Sequence, residues 1–392
     1  MRRLHAAFLA MGHESHFYCR EAQVEGSNGS VLEYCSSPID RYFERIRYSL
    51  ENRMVGDNPK SYFSRLQLHR ATPNPSQTMD ICHLHWIGRW LDLASFVKSL
   101  QARTPIVWTV HDMSALAGGC FTDFGCGEFE KGCRICPLVK YPLNRIWAKQ
   151  ELRRRLRALS RRPMAFVANS RSTFCLVEKS PLAKGKMQRM IPPGFDFSEL
   201  REIPRAEARA KLEIPEDAFV LGFGAASLTD GNKGIDRFYQ VAKSVQSKIP
   251  QTMALIFGDG NPEAQIPTRN LGVLKKPEQL AAAYSAMDAH LVTSQMETFG
   301  QVSVEAQACG TPAFAFAVGG LPETLVDGQT GGLAPFCDYK EMAEQILAAH
   351  RSDRLKTMGQ AGAKWVREQF DSLVVAKKYV ELYEELLVGT AK

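Results

Sequence analysis

Short, continuously apolar runs recur along this chain, and most are followed by a stretch with apolar residues at helical spacing. Ile106-Val107-Trp108-Thr109-Val110 is one such run. Others are His16–Cys19, Ile81–His85, Ala165–Asn169, Phe219–Gly224, Ala254–Phe257, Ala289–Thr293 and Ala313–Ala317. A strand covered on both faces needs such a run, whereas a half-solvated strand would alternate. Alternation of these runs with helical patterns predicts parallel sheets joined by crossover helices. Pro192-Pro193-Gly194 breaks the pattern, a polar stretch follows to about Pro215, and a strand pattern restarts at Phe219. The fold class expected is therefore α/β, with two doubly wound Rossmann-like domains facing a cleft. Residues 1–200 form the first, 201–370 the second, and 371–392 a terminal helical segment with aliphatic and aromatic residues at helical spacing.

Bulk composition agrees with this and narrows little else. A chain of 392 residues is too long for one ordinary core. Its 45% hydrophobic and 23% charged residues are those of a globular protein. No apolar stretch approaches the ~18 residues that would span a bilayer. The opening residues Met1 to Met11 could be mistaken for a leader, but the apolar part is short, carries His5 and lacks a cleavage pattern, so secretion is not expected. A net charge of +7 permits anionic partners without choosing among them. Of ten cysteines, Cys19, Cys35, Cys82, Cys175, Cys309 and Cys337 are scattered and read as small buried thiols.

The densest chemical pattern lies at Glu297-Thr298-Phe299-Gly300-Gln301-Val302-Ser303-Val304-Glu305. Gly300 marks a tight turn that opens a helix, and Gly310 sits where a helix end is expected. The N-terminus of a helix presents unpaired N–H groups and a positive dipole end, which suit a phosphate. Carboxylates on either side can accept hydrogen bonds from sugar hydroxyls. Gly319-Gly320-Leu321-Pro322-Glu323 follows after another apolar run. Taken together, this segment resembles the donor-binding signature of retaining glycosyltransferases of the GT-B architecture, family 4, also described as glycosyl transferases group 1. Trp108 to Met113, then Gly118-Gly119-Cys120 and the cysteines up to Cys136-Pro137, resemble a branch of exopolysaccharide and colanic-acid type.

This resemblance implies a function and a set of residues. A sugar would move from a nucleotide-sugar donor to a glycan or lipid-linked acceptor, with retention and without a catalytic metal. Glu297 would hold donor-sugar hydroxyls and Glu305 the ribose, with Thr298, Phe299 and Gly300 between them. Lys233, in Asp230-Gly231-Asn232-Lys233-Gly234 after the strand ending at Gly224, would neutralise the diphosphate. The arginine that the family commonly adds a few residues earlier is replaced here by Ala225-Ala226-Ser227-Leu228-Thr229. Gly258 and Gly260 resemble the family's Gly-Asp-Gly turn near the nucleotide. His111, at a strand's C-terminal end where ligand crevices lie, would contact the donor sugar as a catalytic residue, with pairing to Asp112 as the alternative. His83, His85, Trp86 and Asp112 would line the acceptor side, or simply pack. The family also carries a strand and a glycine-rich loop ahead of the helix that Gly12 ends here, so a late start, or a weak or silent scaffold, is the rival expectation. Another rival is a GT-B epimerase or hydrolase.

Two features lie outside that signature. Cys120-x5-Cys126-x6-Cys133-x2-Cys136, in a glycine-rich insert at 118–140, offers four thiolates to a structural zinc; an iron–sulfur cluster, disulfides and free thiols are the alternatives. Residues 144–162 hold Arg145, Lys149, Arg153, Arg154, Arg155, Arg157, Arg161 and Arg162, with Ile146, Trp147, Leu152, Leu156 and Leu159 as a partial apolar face. A basic amphipathic helix of this kind suits an anionic membrane surface, and a solvated helix is the alternative. The expected location is cytoplasmic, peripheral at the inner face of the plasma membrane. A nucleic-acid-binding zinc protein would leave the second half unexplained, so no nucleic-acid partner is expected.

Overall fold

The computed structural model describes residues 1–19, 31–33, 79–88, 91–122 and 125–391. The chain divides into two compact units, one of Met1–Pro192 with Ala376–Lys392 and the other of Pro193–Val375. In the first, β3 (Cys82–Leu84), β4 (Ile106–Val110), β5 (Met164–Ala168) and β6 (Met187–Met190) form a four-stranded parallel sheet in that order. A separate parallel pair joins β1 (Phe17–Cys19) to β2 (Val31–Glu33). Every residue of β4 and of β5 is buried, as their almost wholly apolar sequences lead one to expect.

The second unit is a six-stranded parallel sheet in the order β12-β11-β10-β7-β8-β9. These are β7 (Phe219–Ser227), β8 (Thr252–Asp259), β9 (Thr268–Asn270), β10 (Ala289–Val292), β11 (Ala313–Phe316) and β12 (Gly331–Ala334). Read from β9, the order runs 3-2-1-4-5-6 in chain sequence, that of the dinucleotide-binding fold. Its winding reverses between β7 and β10, which pair through Leu221 and Gly222. At such a reversal the loops leave the sheet in opposite directions and open a crevice beyond the strand ends.

Two separate cores cover the faces of this sheet. One gathers Leu221, Phe223, Phe238, Val241, Phe314 and Ile346, the other Val220, Leu255, Tyr284, Val304, Val366 and Phe370. Leu228, in the stretch without the family's arginine, is buried in the former. Among the described residues no helix is long and apolar enough to cross a membrane. The scattered cysteines do not share one environment: Cys82 and Cys309 are buried, Cys19 and Cys175 half-buried, and Cys337 exposed, so the expectation of buried thiols fails for the last. Cys35 lies outside the described residues.

Candidate functional site

At the β7/β10 reversal two loops are stitched together. The loop after β7 makes an Asx turn, Asn232 N–H to Asp230 Oδ1 at 2.9 Å, and its Gly234 takes φ +77° to start the helix Ile235–Gln246. Gln295 N–H donates to the Asn232 carbonyl at 2.8 Å, and the Asn232 amide donates to the Met296 carbonyl at 3.0 Å. Arg237 closes the joint, donating to the carbonyls of Thr293 at 2.7 Å and Asn232 at 2.8 Å. The result brings Lys233 Nζ to 2.5 Å from Glu297 Oε1, an oxygen that also accepts from Ser294 Oγ at 2.9 Å. Glu297 keeps 12% and Lys233 31% of its side chain exposed, so the pair is partly screened by water rather than sealed.

Glycines fix the backbone around this pair. Gly319 has φ +56°, and a Cβ there would lie 1.8 Å from the Glu297 carbonyl, while Gly320 N–H donates to that same carbonyl at 3.0 Å. Gly300, at φ +101°, starts the helix Gln301–Ala308, and a Cβ on it would strike Leu321 at 2.4 Å. Gly300, Gly319 and Gly320 thus serve to seat the Glu297 turn against the Gly319–Leu321 loop. Gly258 has φ +140° and faces the Ala225 carbonyl, where a Cβ would come within 2.0 Å; Gly260 has φ +109°. Gly224 is buried, and the Phe257 ring fills the space where its side chain would be, so its part is packing.

The remaining donor-side residues separate. Thr298 is exposed beside Glu297. Phe299 points the other way: it is buried in the core, edge-on to Phe370 at 5.4 Å, so its side chain packs rather than facing a ligand. Glu305, at the start of the second turn of the helix, receives the Tyr284 hydroxyl on Oε2 at 3.1 Å.

In the first unit the three histidines form one cluster at the C-terminal ends of β3 and β4. His83 is committed on both ring nitrogens, Nδ1 to the Tyr383 hydroxyl at 2.6 Å and Nε2 to Thr109 Oγ1 at 2.7 Å. These bonds tie the terminal helix to the sheet and favour the packing alternative for this residue over an acceptor contact. His85 Nδ1 lies 3.0 Å from His111 Nε2, so His111 pairs with His85 and not with Asp112. Burial lowers all three: His83 to about 3 and His111 to about 4, with His85 also well below its ordinary value. They are neutral imidazoles at physiological pH. Asp112 instead caps the turn Met113–Ala115, Oδ1 accepting from Ser114 N–H at 2.7 Å, and Oδ2 accepts from the Trp86 indole at 3.1 Å. Trp86 is 42% exposed, and with His85, His111 and Asp112 it borders one cavity of this unit. That is a surface on which a sugar ring could stack and hydrogen-bond.

Cys120, Cys126, Cys133 and Cys136 all border a single small cavity. Cys133 takes φ +52°, and its sulfur accepts the Gly118 N–H at 3.4 Å. None of the described cysteines is in a disulfide in this structure. Four sulfurs are the right donor set for zinc. As the side chains stand, however, no three His, Cys, Asp or Glu among the described residues are gathered to hold an ion.

The basic segment folds as Trp147–Leu159, and its apolar face turns inward: Leu152 and Leu159 are buried, and Trp147 and Leu156 pack on the core. Arg155 is buried with Glu151 at 2.9 Å, and Arg154 reaches Asp92 at 2.8 Å. Arg162 donates to the carbonyls of Val97, Leu100 and Gln101. Arg145, Arg153, Arg157 and Arg161 stay exposed, with Ile146 as the one large apolar residue of the segment beside them. The amphipathic face expected for lipid is spent on the core.

Sequence signals existed for most of the donor side. Tyr284, Arg237 and the tyrosine pair at 379 and 383 were missed, because nothing local marks a side chain whose partner lies far along the chain; Ser294 was missed although its partner Glu297 is only three residues on.

Known proteins resemble this chain in sequence and fold. Residues 204–365 match the family described as Glycosyl transferases group 1. The D-inositol 3-phosphate glycosyltransferase of Segniliparus rotundus is 35% identical over 191 residues, covering 44% of this chain and 41% of that protein. The chain spans about half the length of the curated relatives it matches. Sucrose-phosphate synthase of Thermosynechococcus elongatus superposes with a TM-score of 0.66 at 20% identity, over 99% of this chain and 92% of its own. Anabaena Alr3699/HepE, solved with UDP and glucose, gives 0.56 at 19%, over 78% and 77%. The fold is GT-B, and the matches support the group 1 glycosyltransferase family.

Proposed function

We propose that this protein transfers a sugar, with retention, from a nucleotide-sugar donor to a glycan or lipid-linked acceptor in the building of a surface polysaccharide. The observation that carries the reading is the meeting of Lys233 and Glu297 at the topological reversal of the second sheet. A sugar nucleotide needs a cation for its diphosphate beside an acceptor for its sugar hydroxyls, and this pair supplies both. As the bond from the sugar carbon to the phosphate oxygen breaks, its electron pair leaves with the diphosphate, the acceptor's hydroxyl oxygen bonds to that carbon from the same face, and the hydroxyl proton passes to the departing phosphate oxygen. Lys233 and the N–H groups at the start of Gln301–Ala308 are the stabilisers of that charge. No catalytic metal belongs to this reading. Glu305 takes the ribose, and His111, at the end of β4 beside His85, a sugar hydroxyl. UDP and glucose in HepE support a uridine sugar as the first donor to try. Acceptors related to inositol phosphate are worth trial because of the relative's name.

Labelled UDP-sugars and GDP-sugars, offered with lipid-linked and soluble acceptors, test the reading. Transfer with retained anomeric configuration is expected, and Glu297→Gln should lower it at least about a hundredfold, as loss of a transition-state contact does. Free sugar as the sole product, or a Glu297→Gln variant as fast as the parent, would discard it. Contact with an anionic membrane is part of the same proposal and rests on the exposed arginines alone. Failure to float with phosphatidylserine vesicles at low salt would remove that part.

A further inference from the structure

The structure assigns Tyr284 as the positioning residue for Glu305, setting the carboxylate that grips the ribose and with it the preference for ribonucleotides. The inference rests on the reading of Glu305 given above.

Tyr284 is fully buried in the helix Pro277–Ser285, and its hydroxyl donates to Glu305 Oε2 at 3.1 Å across to the next helix. Burial raises the phenol well above its usual value, so it stays protonated and acts as the donor. Its ring has little freedom to carry that hydroxyl elsewhere. Phe257 packs edge-on at 5.4 Å and 88°, and His290 edge-on from another side at 5.3 Å and 83°. The Tyr284 carbonyl is held too, accepting from Thr311 Oγ1 at 2.7 Å. Phe257 in turn occupies the place where Gly224 lacks a side chain; a Cβ there would lie 2.2 Å from its ring. A rigid line therefore runs from Gly224 in β7 through Phe257 and Tyr284 to the carboxylate. A carboxylate with one oxygen fixed from behind keeps a defined orientation for a pair of ribose hydroxyls. The bond restrains rotation about the carboxylate's last torsion, which has broad, shallow wells.

The test compares affinities of UDP and GDP with those of their 2′-deoxy and 3′-deoxy forms, for the parent, Tyr284→Phe and Glu305→Gln. The parent is expected to prefer the ribose form by about tenfold, the scale of one hydrogen bond to a charged group. Tyr284→Phe should cut the preference to about threefold or less while the deoxy forms bind as before, a split that general loosening of the fold would not give. If Glu305→Gln loses the preference and Tyr284→Phe keeps it, the positioning role is overturned. If Glu305→Gln also keeps it, the ribose reading of Glu305 fails and the inference falls with it. Should Tyr284→Phe not fold, 3-fluorotyrosine at 284, a stronger donor of the same shape, is expected to raise the preference; an unchanged ratio overturns the role.

Discussion

The Lys233–Glu297 pair shows how a residue's exposure separates function from stability. With Lys233 about a third exposed, the pair contributes on the order of 1 kcal/mol or less to folding. A Glu297→Gln variant that loses transfer should therefore remain folded, with a thermal melt close to the parent's as the check. His290 is the opposite case. It sits in β10 with no exposed surface, and neither ring nitrogen has a hydrogen-bond partner. Burial lowers it to about 3. In the unfolded chain it would protonate near 6.5. Between those values the unfolded state holds the extra proton, so stability is complete above about pH 6.5 and is lost as pH falls toward 3. His290 alone should cost the second unit about 2 kcal/mol between pH 7 and 5. Chemical denaturation across that range checks this, with His290→Leu expected to flatten the slope; equal slopes in the two proteins would refute it.

Elements that were legible in the sequence are those whose burial is complete. β4, β5, β7 and β10 are mostly apolar because both faces are covered along most of their length, and their runs stand out even with Thr109 and His290 among them. Three of the edge strands did not: Met187–Met190, Thr268–Asn270 and Gly331–Ala334 are short and polar or glycine-rich, as edges tend to be, and carry no such signal, whereas the fourth edge of the two larger sheets, Cys82–Leu84, was legible. The Lys233 and Glu297 loops were readable because positive-φ glycines and a charged pair cluster within a few positions. The tie from His83 to Tyr383 was not, since its partners are 300 residues apart. The cysteine insert falls between these cases. Its spacing announced four converging thiols and the fold gathers them on one cavity, yet not into a ligand set. We propose that zinc draws them the remaining distance. Protein purified without chelator should hold about one zinc per chain by elemental analysis, and Cys133→Ala should abolish that content. Absence of metal, with four freely titrating thiols, would reject the proposal.

At the scale of the molecule, the second unit closes on itself. Its two chain ends are pinned together at one point: Phe195 N–H donates to the Phe370 carbonyl at 2.8 Å, and Ser372 N–H donates to the Phe195 carbonyl at 2.9 Å. Gly194 lies so close to Ser372 that a Cβ would come within 3.0 Å of its Cα. Phe195 also packs on Phe197, Phe299 and Phe370, so the aromatic cluster that takes up Phe299 is also the clasp. A segment that leaves where it enters, with its own cores on both faces of its sheet, meets the physical criteria for independent folding. Lys233, Glu297, Glu305 and Tyr284 all belong to it. Residues 193–375 expressed alone should therefore melt cooperatively and bind UDP or GDP within about threefold of the full chain's affinity, well under the tenfold that one charged hydrogen bond represents. They should retain the ribose preference and transfer no sugar. Calorimetry and nucleotide titration of the isolated unit test this. A folded unit that binds neither nucleotide, beside a full chain that binds one, would mean that the first unit holds an essential part of the nucleotide site, and that the pair at the sheet reversal is insufficient.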